Sequence, residues 1–369
     1  MRERFNLLAS IARKLSSGST RRAQITQKGM GNNKMKRLVF DFDYLKYSIA
    51  SVCETRSIIA THIASGKQRE FPTRTAFYGH YKKKDGGWLR QLNDERAKDG
   101  KKPFKAEDFD IADKQVAQPV SHMNQIVKQH IHGICNALGT SSYYGYIGKG
   151  QSWRVKASTI KEYKGDRKET LKPLMLDEIE DYLKRMHKAT EVRGLEADDQ
   201  VVIDCTANQN LVLVGVDKDY YGCDGITLYN PDKMDRPQRI EGLGKLWADG
   251  KGNVRGEGRK FFYFQILSGD DSDCYWANSA SDIKWADKSA FKVLDECKTD
   301  KECWNAILDT YKMLYPEPKE ITGWRGDKFT VDAKYVLKEN CTMAHMLRKP
   351  DDKFDLDKVL EEHGLAHKL

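Results

Sequence analysis

Acidic residues close four separated stretches of this chain, and carboxylates in that pattern are the side chains here that could do chemistry. Asp41 and Asp43 end the run Arg37-Leu-Val-Phe-Asp-Phe-Asp-Tyr. Glu196, Asp198 and Asp199 form Glu196-Ala-Asp-Asp, Asp217 and Asp219 follow Leu211-Val-Leu-Val-Gly-Val, and Asp270, Asp271 and Asp273 lie in Gly269-Asp-Asp-Ser-Asp. Any one group has an ordinary explanation: a strand-end cap, a helix N-terminus whose dipole favours acids, a turn, or a helix cap. Four together, each at an element boundary, point to a shared task. Carboxylates gathered in one place raise one another's pKa and persist mainly when cations neutralise them. Oxygen donors without His or Cys favour Mg²⁺ or Mn²⁺ over zinc. Two such ions about 4 Å apart can activate water and stabilise the leaving oxygen of a phosphodiester. Within Glu196-Ala-Asp-Asp, Glu196 and Asp199 share a helix face, whereas Asp198 points about 160° from Glu196. All three can meet only in a first turn, where geometry is looser.

The surrounding pattern supplies elements to position these acids. Arg37 to Asp41 reads as a short buried strand, and open α/β sheets hold ligands just beyond such strand ends. Val120, Met123, Ile126, Val127, Ile131, Ile134 and Leu138 recur at three- and four-residue spacing, predicting an amphipathic helix over 120–138, followed by a strand over 142–147. A helix-like acidic run covers 173–187, a helix opens near Glu196, and an apolar strand delivers Asp217. A hairpin or loop is expected over 246–256 and a helix over 260–267. Strands alternating with helices predict an α/β fold with a central, mostly parallel sheet flanked by helices. Residues 55–118 read as an irregular, basic insertion, and the chain after Ser268 as mainly helical.

At 369 residues, 39% hydrophobic and 32% charged, the chain is long enough for a proper core. No stretch approaches the roughly 20 apolar residues of a membrane span. The eight cysteines form no CxxC pair, so neither a disulfide framework nor a zinc site is indicated. Residues 1–37 hold ten Lys/Arg against one acid, which accounts for the whole net charge of +9. Positive surface must therefore be argued locally: nine Lys/Arg against four acids over 81–105, and seven against three over 154–172. A solvated face is the ordinary meaning of such runs. Residues 1–35 read as a flexible basic arm, whose Arg/Ser bias also fits an organelle transit peptide; a reducing, cytoplasmic compartment is the main expectation.

The motifs together resemble the phage-type 5′→3′ exonucleases and flap endonucleases, a family that includes the nuclease domain of bacterial DNA polymerase I. Those carrying the resemblance are Leu38-Val-Phe-Asp-Phe-Asp-Tyr-Leu, Trp153-Arg154, Glu162-Tyr-Lys-Gly-Asp-Arg167, Leu195-Glu-Ala-Asp-Asp199, Val216-Asp-Lys-Asp219 and Phe264-Gln-Ile-Leu-Ser-Gly-Asp-Asp-Ser-Asp-Cys-Tyr275. They occur in the family's order across residues 38–275, with weaker similarity through Met343-Ala-His-Met-Leu-Arg348. The resemblance implies a PIN-like nuclease domain over 36–275, a helical arch over about 153–187 and a helical DNA-binding region over 276–369. It implies two divalent cations, Asp41, Glu196, Asp198 and Asp199 around one and Asp217, Asp219, Asp270 and Asp273 around the other. Tyr163, Lys164 and Arg167 would stand at the base of the arch, the last two on the scissile phosphate. Arg154, Lys156, Lys161, Lys168, Lys288 and Lys292 would bind nucleic acid. The implied substrates are DNA with 5′ ends, nicks or flaps and RNA–DNA hybrids. The protein would act as a monomer alongside replication proteins in the cytoplasm of a phage-infected host.

Two departures stand out. The family carries a metal-facing Asp after the second strand, but Tyr146-Ile-Gly-Lys-Gly-Gln-Ser-Trp-Arg154 holds no acid. Asp43 could compensate, or Lys149 could take part of the metal's place and leave a DNA-binding protein with weakened catalysis. The family's Gly-rich helix–turn–helix after Asp273 is also lacking, leaving Lys288 and Lys292 at a plain helix. A third reading, a haloacid-dehalogenase-like phosphatase, takes Asp41-Phe-Asp43 as a nucleophile motif but leaves Glu196-Ala-Asp-Asp unexplained.

Overall fold

Leu38, Val39 and Phe40 contain nothing that prefers water, and in the computed structural model they form the buried middle of a strand at the centre of the main sheet. The structure describes residues 37–80 and 86–368; the basic arm and Lys82 to Lys84 of the first basic run lie outside the described residues. In chain order, β1 (Arg37–Asp41) leads into α1 (Phe42–Val52), β2 (Glu54–His62), β3 (Gln68–Phe71), α2 (Arg74–Tyr78), α3 (Trp88–Lys98) and β4 (Phe109–Ala117). Then come α4 (Val120–Ala137), β5 (Tyr143–Lys149), α5 (Trp153–Ala157), α6 (Leu176–His187), β6 (Ala189–Arg193), α7 (Ala197–Ala207), β7 (Leu211–Val214), β8 (Ile226–Tyr229) and β9 (Gln238–Ile240). The rest comprises β10 (Lys245–Ala248), β11 (Val254–Glu257), α8 (Arg259–Ser268), α9 (Asp287–Leu294), α10 (Asp300–Leu314), β12 (Lys319–Thr322), β13 (Lys328–Val331), α11 (Ala333–Ala344) and α12 (Leu356–Glu362).

The main sheet runs β6-β5-β1-β7-β8-β9, parallel throughout except for the antiparallel pair β8–β9. This is the expected α/β architecture. Every residue of β7 is buried, as befits a parallel strand covered on both faces, and α7 packs on β5, β1 and β7. Because β1, β5 and β7 point the same way, their carboxyl ends bring Asp41, Gly148 and the Gly215-Val-Asp217 segment to one edge. The expected hairpin is the antiparallel pair β10–β11.

The chain divides into two units, one formed by residues through Leu45, Gln129–Leu171 and Glu180–Leu369, the other by Lys46–Lys128 and Lys172–Ile179. The second is not the irregular insertion expected from sequence. It holds a three-stranded antiparallel sheet, β3-β2-β4, and its own core of Ile58, Ala60, Phe71, Phe77 and Phe109, against which Trp88 and Phe104 pack. The C-terminal region is mainly helical, but β12 and β13 form a hairpin that the sequence reading missed. Between α5 and α6 the chain makes a single 3₁₀ turn, Gly165–Glu169. Among the described residues no helix is long and apolar enough to cross a membrane.

Candidate metal centre

Glu196 is the N-cap of α7, with extended backbone angles, and its side chain makes no capping bond. It is therefore free to turn outward, and Glu196, Asp198 and Asp199 offer oxygens within 4.8 Å of one another. The first-turn geometry overrides the mid-helix expectation that Asp198 diverges. The three are nevertheless unequal. Asp199 is fully buried: both its oxygens face the Arg154 guanidinium, at 2.7 and 2.8 Å, one accepts from Trp153 Nε1 at 3.1 Å, and the other from the Leu347 amide at 3.2 Å. Arg154, 2% exposed, also donates to Glu196 Oε2 and to the His345 carbonyl. This overturns the expectation that Arg154 touches nucleic acid: a guanidinium wrapped by protein acceptors is a fixed internal counter-charge.

Tyr163, Lys164 and Arg167 converge on the same acids. The Tyr163 hydroxyl lies 2.8 Å from Glu196 Oε2 and 3.1 Å from Asp273 Oδ2, so one hydroxyl links carboxylates from α7 and from the loop after α8. Lys164 Nζ pairs with Glu196 and stands 3.8 Å from Asp273. Arg167 reaches Asp273 at 3.2 Å while its side chain stays half-exposed. Lys164 and Arg167 do not share an α-helical face; Lys164 enters the 3₁₀ turn with left-handed backbone angles (φ 56°, ψ 25°). A non-glycine residue held there carries strain of the kind that concentrates at functional sites.

The other acids join through Tyr220 and Gln265, which are buried, and through the more exposed Lys218. Tyr220 donates to Asp41 Oδ2 at 2.8 Å, and its hydroxyl feels the charges of Asp41, Asp198 and Asp217. Asp219 accepts from Gln265 and is repelled by Asp217, Asp270 and Asp273. Lys218 Nζ lies 2.7 Å from Asp270 Oδ2. Burial pushes the Asp41 carboxyl up to about 7, reinforced by Asp43. Burial followed by neighbouring acids holds Asp198 and Asp219 well above the usual carboxylate range. Asp273 is raised by burial despite Lys164. In Glu196 burial acts upward, but Lys164 and Arg154 outweigh it and bring the group down to about 2.

The acid-free end of β5 has a specific occupant. The Gly148 amide donates to Asp43 Oδ2 at 3.0 Å, and a Cβ on Gly148 would stand 2.8 Å from that oxygen. The Asp43 carboxylate thus fills the space a side chain at position 148 would enter. Lys149 turns away, pairing with Glu180 at 2.8 Å, so it does not displace a cation. Lys156, Lys161, Lys168, Lys288 and Lys292 are exposed; Lys168 pairs with Glu162, and Lys288 and Lys292 lie on the short α9. Sequence reasoning missed Tyr220, Gln265 and Lys218, which nothing in their local pattern distinguishes from core or turn residues.

A second set of contacts holds the segment from α5 to the 3₁₀ turn that presents Lys164. Glu339 on α11 accepts from the amides of Thr159 and Ile160, at 3.0 and 3.1 Å, and from the Thr159 hydroxyl. From the β12–β13 turn, Arg325 donates to the carbonyls of Val155 and Ser158, and Trp324 Nε1 donates to the Ser158 carbonyl.

No family model matches this chain, and no curated protein matches it in sequence. Among solved structures it is similar to a bacteriophage T5 flap endonuclease in complex with DNA and metal ions, at 16% identity over 66% of this chain and 91% of that one, with a TM-score of 0.38. It is also similar to a T5 protein crystallised with metal ions (15% identity, 60% and 79% coverage, TM-score 0.35) and to a mutant T5 5′-exonuclease (13%, 60% and 76%, TM-score 0.34).

Proposed function

We propose that this protein is a divalent-metal-dependent nuclease that hydrolyses phosphodiesters at or near 5′ ends, as a 5′→3′ exonuclease with flap endonuclease and RNA-primer-removing action. The observation that carries this reading is the convergence of acids from four separated stretches into one electrostatically linked group, with Tyr163, Lys164 and Arg167 bonded to its members. The donor set fits hard cations: it is all oxygen, and its burial raises several of its own pKa values, a cost that bound cations relieve.

Asp41, Asp43, Glu196 and Asp198 would hold one Mg²⁺ or Mn²⁺ ion, and Asp217, Asp219, Asp270 and Asp273 the other. Asp199 serves from behind, since its oxygens are already committed to Arg154, Trp153 and Leu347. Bound there, the ions would supply Lewis acidity toward phosphate oxygens. Lys164 brings a point charge and Arg167 a planar fork to the phosphate, and Tyr163 keeps Glu196 and Asp273 oriented. Lys156, Lys161, Lys168, Lys288 and Lys292 supply sequence-independent phosphate contacts. The Tyr220 hydroxyl on Asp41 weighs against a phosphatase that uses Asp41 as nucleophile.

Purified protein is given 5′-labelled flap and nicked duplexes with Mg²⁺, Mn²⁺ or EDTA. Short labelled products are expected with either metal and none with EDTA. Tight binding without product under either metal would overturn the enzyme reading and leave a structure-specific DNA-binding protein.

A further inference from the structure

Beside the acids lies a groove of about 810 Å³ that the proposed chemistry does not use. Lys218, whose ammonium holds Asp270, lines it at the acidic end. The β10–β11 hairpin forms one wall. Lys245 and Trp247 alternate with Leu246 on β10, and Trp247 lies directly across from Arg255 on β11. Leu246 is buried in the core, so the alternation of a strand sends Lys245, Trp247, Arg255 and Glu257 to the opposite face. Trp247 is 39% exposed, a large ring left in contact with water and set beside a guanidinium.

We propose that this groove binds single-stranded nucleic acid, with an unpaired base stacking on Trp247 and its phosphates held by Arg255, Lys245 and Lys233. Four cations and two acids line the groove; Arg255 pairs with Asp249, Lys245 with Glu257 across the hairpin and Lys218 with Asp270, surface pairs that a phosphate can compete for. One of those acids, Asp249, is spent on the hairpin turn, where it accepts from the Lys251 and Asn253 amides and from Arg255. An exposed indole offers its face to any base, and cationic side chains tracking a backbone complete the usual means of gripping a single strand without regard to sequence. Bases in a duplex are already stacked on each other and have no free face for Trp247. Lys218 lines the groove and pairs with Asp270, which sets one end of the groove beside the acids, so a strand seated on Trp247 would be directed toward the proposed catalytic centre. The inference rests on the nuclease reading for that directionality alone.

The test uses full-length protein in EDTA, where nothing is cut, and a fluorescein-labelled oligothymidylate followed by anisotropy. Trp247→Ala is expected to weaken binding about tenfold, Trp247→Phe to restore most of it, and an abasic oligomer of equal length to bind the unaltered protein about as weakly as oligothymidylate binds Trp247→Ala. Trp247→Phe keeps most of the ring's packing, so a loss of binding shared by Trp247→Ala and absent from Trp247→Phe is not a folding effect, and circular dichroism should show both variants folded. Equal affinities for the unaltered protein and Trp247→Ala, or for the abasic and thymidylate strands, would overturn the proposal. A metal-dependent cleavage assay run alongside separates the two readings. Cleavage with Trp247-independent binding removes the groove alone, and Trp247-dependent binding without cleavage removes the nuclease alone.

Discussion

Asp199 and Arg154 make a bidentate pair that water does not reach, and each is satisfied further by Trp153, Glu196 and backbone groups near His345 and Leu347. Arg154→Ala would leave a buried carboxylate uncompensated, which should cost about 3–5 kcal/mol in urea unfolding. Lys in its place restores little, because it cannot reproduce the fork. Asp41 carries a second residue-scale consequence. Its carboxyl binds a proton up to about pH 7 in the fold, against about 3.9 in an unfolded chain. Between those values the folded state holds more protons, so stability falls as pH rises through that window. Burial-raised Asp198 and Asp219 act in the same direction, whereas the contribution of Glu196 is lost only below its unfolded pKa. In EDTA the melting temperature should therefore drop from about pH 5 to about pH 8, and Mn²⁺ at the upper pH should reverse the drop; a flat profile would contradict this. The acids themselves were legible because apolar runs mark buried parallel strands whose ends collect ligands. The burial of Arg154 was not, since a Lys/Arg-rich run reads as solvated surface and the segment that covers this one arrives from far along the chain.

Glu339, Arg325 and Trp324 come from a helix and a hairpin outside the acidic stretches, yet they fix the segment from Val155 to Ile160 that leads to Lys164. Glu339→Ala removes the acceptor for two amides and a hydroxyl. It should lower cleavage at saturating substrate by about tenfold or more by misplacing Lys164, while Mn²⁺ affinity measured by titration stays near that of the unaltered protein. Parallel losses of metal affinity and rate would place the effect in the fold instead. Among the elements, α4, β5 and α8 declared themselves by periodicity. β12 and β13 did not, because four-residue strands of mixed polarity carry too little pattern. The sheet β3-β2-β4 was hidden for a related reason: its interior faces supply few apolar residues in alternation, and the Gly- and Lys-rich stretch between β3 and β4 masks the boundary.

Across the whole molecule, the net charge of +9 resides in residues 1–37, and the remainder balances to zero. A variant beginning at Met35 should bind duplex DNA more weakly and with a flatter dependence on KCl concentration, while its metal-dependent cleavage at saturating substrate persists. An unchanged salt slope would show that local patches alone meet the phosphates. The acids span Asp41 to Asp273, but the buried Arg154–Asp199 pair that braces them is completed only by the His345 carbonyl and the Leu347 amide. A polypeptide still emerging during synthesis has all its acidic residues before it has these last two anchors. Under the proposed function, the acids would be braced only once residues 345 to 347 have been added, well after the last of the acids themselves.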